Sequence, residues 1–450
     1  MGFYWLDYTI RVFGGFPYGV SEFIFVLFGT YSALPLALFS LLVRLCGLGP
    51  LSLFPALFWV AGEFWFPHLF PWYLANSQSE FLVFIQSADL VGLYGASFFL
   101  MWFNSTVSSL IFDRERGTRA LLANAAVLSA VLMGLLFYGY FRLQGVEAEM
   151  RGARTLPVAA IQGNIGIEKK WDPAQLKNNL LAYQNLTEKA PRARVVIWPE
   201  TAIEVWLPED LQRLPAELLP PLREETFFLF GANSFRGGRA TPKIEAFNSA
   251  FLTDGRGIIL SRYHKQVLLA FGEYIPFSRL LSKIPGIPPM DGFSEGRGPT
   301  TLDVSDGVRI GPLICYEDLM PELARAFVME RNANILVNLT NDAWYGKTVA
   351  PWQHAWLAKW RAIETRRTLV RVTNTGLTTV INPKGELVKS LPIFSAGILT
   401  AAVEIMEGET FYVRFGDWFP WLISGAALAI LLWRIRPRLK FQIADFRQRI

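Results

Sequence analysis

Cysteine and histidine are scarce in this chain, with two of the first and three of the second among 450 residues. Two cysteines cannot build a disulfide framework. His68, His264 and His354 stand apart, with no HxH, HExxH or CxxC spacing, so neither a metal centre nor another cofactor is expected. Charge is scarce too. Only 18% of residues are Asp, Glu, Lys or Arg, against 52% hydrophobic and 14% aromatic. That is too apolar for a simple soluble enzyme. The net charge of +5 is modest and forms no basic stripe, which argues against a nucleic-acid partner.

What is present is unevenly placed. Region 1–150 is apolar and contains four stretches long enough to cross a bilayer, roughly 23–43, 51–69, 90–112 and 120–140; a fifth runs over about 418–433, within a C-terminal span at 415–434. The second stretch carries Glu63, His68 and two prolines, and a buried acid there is expected to face other helices rather than lipid. Arg114, Arg116 and Arg119 between the third and fourth stretches predict a cytoplasmic loop. The stretch 70–89 has no Lys or Arg and is expected outside. The tail 435–450, rich in Arg and Lys, should be cytoplasmic. Stepping across the spans puts the central region outside the cytoplasm, with Cys46 and Cys315 on opposite sides of the membrane. It also puts residue 1 outside, and FYWLDYTIRVFGGFPYG reads as an interfacial loop.

From residue 156 the texture changes. Short Val- and Ile-rich runs (LPVAAIQ, RVVIWPE, TFFLFGANS, SAFLTDGRGIIL, VRIGPLICYE, ANILVNLTND, TLVRVTNTG, LTTVINPKGELV, ILTAAVEI) read as strands. Apolar residues at helical spacing predict helices over 172–190, 321–332 and 352–367. The alternation predicts a layered α/β domain over 156–407. TDGRG and NPKGE read as hairpin turns, so part of the sheet should be antiparallel.

Three polar residues stand at the ends of apolar runs: Glu200 after VVIWP, Lys265 after ILSRYH and Cys315 after RIGPLI. Strand ends are where α/β enzymes gather their sites, although charges there can also simply face water. Cys315 precedes a helix expected to begin near Pro321, which predicts an exposed thiol with a lowered pKa. The acids that follow it argue against burial as a small hydrophobe. A thiol nucleophile needs a base and an oxyanion stabiliser, and a carboxylate and a lysine supply both.

WPE, then a lysine, then CYE resembles the nitrilase (carbon–nitrogen hydrolase) superfamily. WPETA, YHK followed by FGEYIPF, ICYED, NDAWYG and RVTNTG, with the flanking apolar spans, resemble its membrane-bound apolipoprotein N-acyltransferase branch. The resemblance implies an α-helical transmembrane bundle plus an αββα sandwich domain. It implies Glu200 as general base, Lys265 as oxyanion stabiliser and Cys315 as nucleophile. Glu273, Glu317 and Tyr316 match family residues around that triad, and Trp171 matches a tryptophan near the substrate entrance. Asn341, Asp342 and Trp344 either line the pocket or shape a turn; Asp318 helps start the helix. The implied reaction moves an acyl chain from a phospholipid, phosphatidylethanolamine being the expected donor, through a cysteine thioester to the α-amine of a diacylglyceryl-cysteine apolipoprotein. The implied location is the bacterial cytoplasmic (inner) membrane, with the catalytic domain on the periplasmic side. The family has more spans ahead of FGG, and Pro where this chain has Ala270. A Gly- and Pro-rich loop over 271–300, with Phe277, Leu280, Leu281, Ile284, Ile287, Met290 and Phe293, is either a lipid-facing lid or a loop packed on its own domain. Two other readings stay open on the residues alone: a membrane-tethered amidase, and a transporter or scaffold. The lack of paired charges within the spans argues against the last.

Overall fold

The computed structural model describes residues 2–112, 117–238, 241–276 and 292–448. Arg114 and Arg116, the loop residues Phe277 to Met290, and Arg449 lie outside the described residues. The chain forms two compact units, one of Met1–Pro17 with Val146–Val413, the other of Tyr18–Gly145 with Arg414–Ile450.

Among the described residues, four helices have the length and apolar composition to cross a membrane: Tyr18–Cys46, Leu93–Phe112, Thr118–Gly152 and Trp418–Arg436. The stretch expected to cross at 51–69 is shorter. It forms a 12-residue helix, Phe54–Trp65, about 18 Å long. Pro67 explains the stop, because the residue before a proline is pushed out of the helical region, and Phe66 is extended at φ −75°, ψ 128°. Glu63 is buried and hydrogen-bonded: its Oε1 accepts from Trp59 Nε1 at 2.8 Å and from the Leu74 N–H at 2.6 Å. Asp89 and Arg142, which flank the expected stretches 90–112 and 120–140 rather than lie within them, form an ion pair: the Asp89 carboxylate takes Arg142 Nε at 2.7 Å and the Tyr138 hydroxyl at 2.7 Å.

The first unit holds all the strands among the described residues. They are β1 (Thr155–Gln162), β2 (Val195–Ile197), β3 (Ile203–Pro208), β4 (Phe227–Gly238), β5 (Thr241–Thr253), β6 (Ile259–His264), β7 (Leu302–Asp303), β8 (Arg309–Ile314), β9 (Ile335–Thr340), β10 (Leu369–Thr373), β11 (Thr379–Ile381), β12 (Leu387–Ser390) and β13 (Gly397–Glu404). One sheet runs β13-β1-β2-β4-β5-β6 with β3 beside β4; the other runs β12-β11-β10-β9-β8-β7. The centre of each sheet is parallel, and the expected hairpins β5–β6 and β11–β12 are antiparallel. Strand periodicity sorts the side chains. On β1, Leu156, Val158 and Ala160 join a core shared with Leu313, Leu336 and Val370 of the facing sheet. Ala159 and Ile161 point the other way, toward Tyr183 of helix Leu176–Glu188. Helices Pro321–Arg331 and Ala350–Thr365 bring Phe327, Ala358 and Ala362 onto the second sheet. The result is an αββα sandwich. Residues 5–12, read as a loop, are a helix packed within this unit: Trp5 is buried, donates from Nε1 to Gln353 Oε1 at 2.8 Å and meets Tyr345 edge-on at 4.7 Å.

Asp318 does more than start a helix. It is fully buried and takes His354 Nε2 on Oδ1 at 2.8 Å and Arg371 Nε on Oδ2 at 3.0 Å. The other His354 nitrogen, Nδ1, meets Asp342 Oδ1 at 2.9 Å. This closed set of charges pins the ends of β8, β9 and β10 to helix Ala350–Thr365. Burial alone would lower His354, but Asp318 and Asp342, against Arg371, raise it from 6.5 to about 9. A raised pKa stabilises the fold fully below the unfolded value of 6.5, and that stabilisation disappears as pH rises through about 9. The apparent melting temperature in detergent should therefore fall between pH 6.5 and 9 by more in the wild type than in His354→Gln. His354→Ala should cost about 3–5 kcal/mol near neutral pH, as expected when one member of a buried charge set is removed. Parallel pH dependence in wild type and His354→Gln would contradict the charged clamp.

Candidate active site

The three sequence-predicted residues come together where their strands end. Glu200 follows β2, Lys265 follows β6 directly and Cys315 follows β8 directly. Both turns are tight. Thr201 and Cys315 hold positive φ, +47° and +52°, an uncommon state for residues with a Cβ that persists only when neighbours enforce it. At Thr201 the enforcer is β4, which approaches so closely that a Cβ on Gly231 would lie 2.6 Å from the Thr201 N and 2.7 Å from the Glu200 Cα. At Cys315 it is Asn338 on the neighbouring β9, whose Nδ2 donates to the Cys315 carbonyl at 3.0 Å.

All three side chains are buried, Cys315 at 7% exposure, Glu200 at 7% and Lys265 at 1%. Lys265 Nζ pairs with Glu273 Oε2 at 2.7 Å. Asn248 on β5 bridges the two carboxylates, its Nδ2 donating to Glu200 Oε1 at 2.8 Å and to Glu273 Oε1 at 2.9 Å. Among the described residues Glu200 Oε2 has no hydrogen-bond partner, which leaves it as an acceptor. Glu317 is fully buried. Its Oε2 accepts from the Ile314 N–H at 2.7 Å, and its Oε1 from the Tyr263 hydroxyl at 2.8 Å and the Gln266 and Val267 N–H groups at 2.6 and 3.1 Å.

The exposed, acidified thiol expected from the sequence is corrected. Cys315 opens a 3-10 turn, Cys315–Leu319, that is buried throughout, ahead of the helix starting at Pro321. Burial and the Glu200 carboxylate push the thiol well up, against Lys265. Burial also raises Glu200, opposed by Lys265 and supported by Glu273. Burial would depress Lys265, but Glu273, Cys315 and Glu200 hold its ammonium above the usual lysine range. Burial carries Glu317 to about 7, against Lys265 and the backbone donors. A proton-hungry carboxylate, a firmly charged ammonium and a protonated thiol thus share one site, poised for proton transfer from sulfur to carboxylate.

The remaining predicted residues sit around this centre. Tyr316 is buried in the Cys315–Leu319 turn. Asn341 is buried and caps the turn Asp342–Tyr345, its Oδ1 accepting from the Ala343 N–H at 3.3 Å and from Asn374 Nδ2 at 3.1 Å. Trp344 is partly exposed and meets Phe13 edge-on at 4.7 Å. Trp171 is exposed, at φ +71°, with its N–H held by Glu204 Oε2 at 2.8 Å. Sequence reasoning missed Asn248, an Asn inside a strand with no charge to draw notice. It also missed Tyr345, the buried aromatic of NDAWYG that lies within electrostatic reach of Cys315 and Glu200.

Residues 157–410 match the model of the carbon-nitrogen hydrolase family, and residues 1–106 match that of the apolipoprotein N-acyltransferase N-terminal domain. Three similar proteins carry the name apolipoprotein N-acyltransferase. The one from Geobacter metallireducens is 35% identical over 444 residues, covering 95% of this chain and 83% of that protein. The one from Pseudomonas aeruginosa strain UCBPP-PA14 is 32% identical, covering 96% and 84%. The one from Bdellovibrio bacteriovorus is 31% identical, covering 96% and 83%. With its nitrilase-type sandwich, its bilayer-length helices and these matches at both ends, the chain belongs to the apolipoprotein N-acyltransferase family.

Proposed function

We propose that this protein transfers an acyl chain from a phospholipid, phosphatidylethanolamine being the expected donor, to the α-amine of a diacylglyceryl-cysteine at an apolipoprotein N-terminus. The observation that carries this reading is the buried meeting of Glu200, Lys265 and Cys315 in a chain that also has four bilayer-length apolar helices among its described residues. Glu200 Oε2, the free acceptor, takes the proton from Cys315 Sγ as sulfur attacks the ester carbonyl. Lys265 Nζ stabilises the oxyanion, and Glu273 keeps that ammonium charged and aimed. The tetrahedral intermediate collapses, the carbon–oxygen bond breaks, and the Glu200 proton goes to the leaving alkoxide, releasing lysophospholipid. The acceptor amine then attacks the thioester, Glu200 accepts its proton, and the cysteine sulfur leaves and is reprotonated.

Exposed aromatics on the loop that carries Lys265 and Glu273 (Phe271 and Tyr274) and on two other loops of the same unit (Trp171 and Trp344) suit a lipid substrate better than a soluble amide. The same reading puts the catalytic domain on the periplasmic side of the bacterial inner membrane. Arg114, Arg116 and Arg119 favour the cytoplasm for the loop before helix Thr118–Gly152, and the tail beyond Trp433 is equally basic. Residues 2–17 belong to the same compact unit as the sandwich, so the segment 18–145 starts and ends on one side of the bilayer and crosses an even number of times. The fourth crossing then falls to helix Phe54–Trp65 and its flanks. A broken crossing of that kind is tolerated where protein surrounds it, and Phe54, Phe58 and Val60 are buried within their own unit.

Incubation with phospholipid should leave an acyl thioester on the wild type by intact mass, and none on Cys315→Ala. Lys265→Met should acylate about 10²–10³-fold more slowly, the usual loss for one oxyanion donor. Release of the adduct by water as fast as by lipopeptide would favour a hydrolase instead. With Glu200 raised above the usual carboxylate range by burial, the acylation rate should fall as pH drops toward the acid side; a flat profile down to pH ~5 would count against Glu200 as the base.

A further inference from the structure

Behind the catalytic carboxylate lies a second buried lysine that this mechanism does not use. Lys170 is only 5% exposed. Its Nζ donates to the Thr201 carbonyl at 2.9 Å and lies 3.4 Å from that of Glu200. Among the described residues it forms no ion pair at salt-bridge distance. An unpaired buried ammonium is costly and would be expected to be replaced by an apolar residue unless its charge has a use. The acids nearest in its field are Glu204 and Glu200. Glu204 is already occupied, with Oε2 on the Trp171 N–H at 2.8 Å and Oε1 on Asn179 Nδ2 at 3.0 Å. Those two bonds lock the KKW turn and keep the Lys170 stem aimed inward. Glu200 is the acid whose charge is in question.

We propose that Lys170 is a positioning residue for acyl transfer: its buried ammonium grips the Glu200 and Thr201 carbonyls and supplies positive charge that keeps the Glu200 carboxylate ionised in a buried site. The grip and the charge act on the same turn. Gly231 of β4 presses on Pro199, Glu200 and Thr201 from one side, and Lys170 holds the carbonyls of the same turn, so Thr201 stays at its positive φ. The groups facing Glu200 are, in falling order of influence, Lys265, which favours its charge, Glu273, which opposes it, Asn248, which donates to it, and Lys170, which favours its charge from behind. Those facing Lys170 are Glu204 and Glu200, with the Trp171 ring 5.5 Å away. Burial brings Lys170 down to about 8, so it is charged at neutral pH and its support fades in alkali.

This inference rests on Glu200 being the general base, and the test separates the two. The full-length protein in detergent is mixed with phosphatidylethanolamine, and Cys315 acylation is followed by intact mass from pH 5 to 9. Lys170→Gln keeps a donor for the carbonyls but removes the charge. Its acid limb should move up by about one pH unit, giving about tenfold slower acylation on the acid side and a near wild-type rate on the plateau. Lys170→Arg, which keeps the charge, should leave the limb in place. If Lys170→Gln does not fold, by thermal melting, Lys170→Met carries the same measurement. A folded neutral variant with an unmoved limb overturns the inference while Glu200→Gln, by abolishing acylation, upholds the base. Wild-type acylation in Glu200→Gln overturns both.

Discussion

The Glu317 carboxylate joins the two halves of the site. One oxygen caps the nucleophile turn at the Ile314 N–H; the other gathers Tyr263, Gln266 and Val267 from the neighbourhood of Lys265. The nucleophile turn extends one sheet and the lysine loop extends the other, so this one buried group sets the distance between thiol and ammonium. Its position depends in turn on the sandwich core, because only closely packed sheets bring β6 and β8 near enough to share a carboxylate. Charged hydrogen bonds in a dry interior are strong, and leaving any partner unmet is costly, so the arrangement is rigid.

Around that link the charges form two neighbouring sets with different tasks. Glu200, Lys265 and Glu273, with Asn248 between the carboxylates, make a set in which one oxygen has no hydrogen-bond partner among the described residues. Asp318, His354, Asp342 and Arg371 are tied to one another. The second set holds strand ends and the Asp342–Tyr345 turn in place; the first is able to move a proton. Cys315 lies in the field of both sets, and burial together with Glu200 holds its thiol well above the usual cysteine range.

Much of this was legible in the residues. The nine apolar runs all became strands, the two turn sequences became hairpins, and Pro321 opened its helix, because period-two patterning and turn chemistry are local properties. The two strands that were missed, IEVWLP at β3 and the two-residue β7, have little apolar alternation of their own and pair through neighbours. The 12-residue helix Phe54–Trp65 was overestimated because hydropathy does not register where Pro67 ends a helix. Asp318 looked like a helix-start acid, since its partners His354 and Arg371 lie 36 and 53 residues away. Lys170 was not singled out in the sequence; the approach of the Glu200–Thr201 turn makes it a buried cation.

The sequence by itself determined the layered α/β domain, the apolar spans beside it, and the identity of the three groups that meet at the strand ends, because these follow from the order and spacing of side chains along the chain. The tertiary structure alone decided that the thiol is buried rather than exposed, which acids are paired, and which carboxylate oxygen is free. Those properties depend on desolvation and on partners brought from remote segments, and neither is written in local sequence.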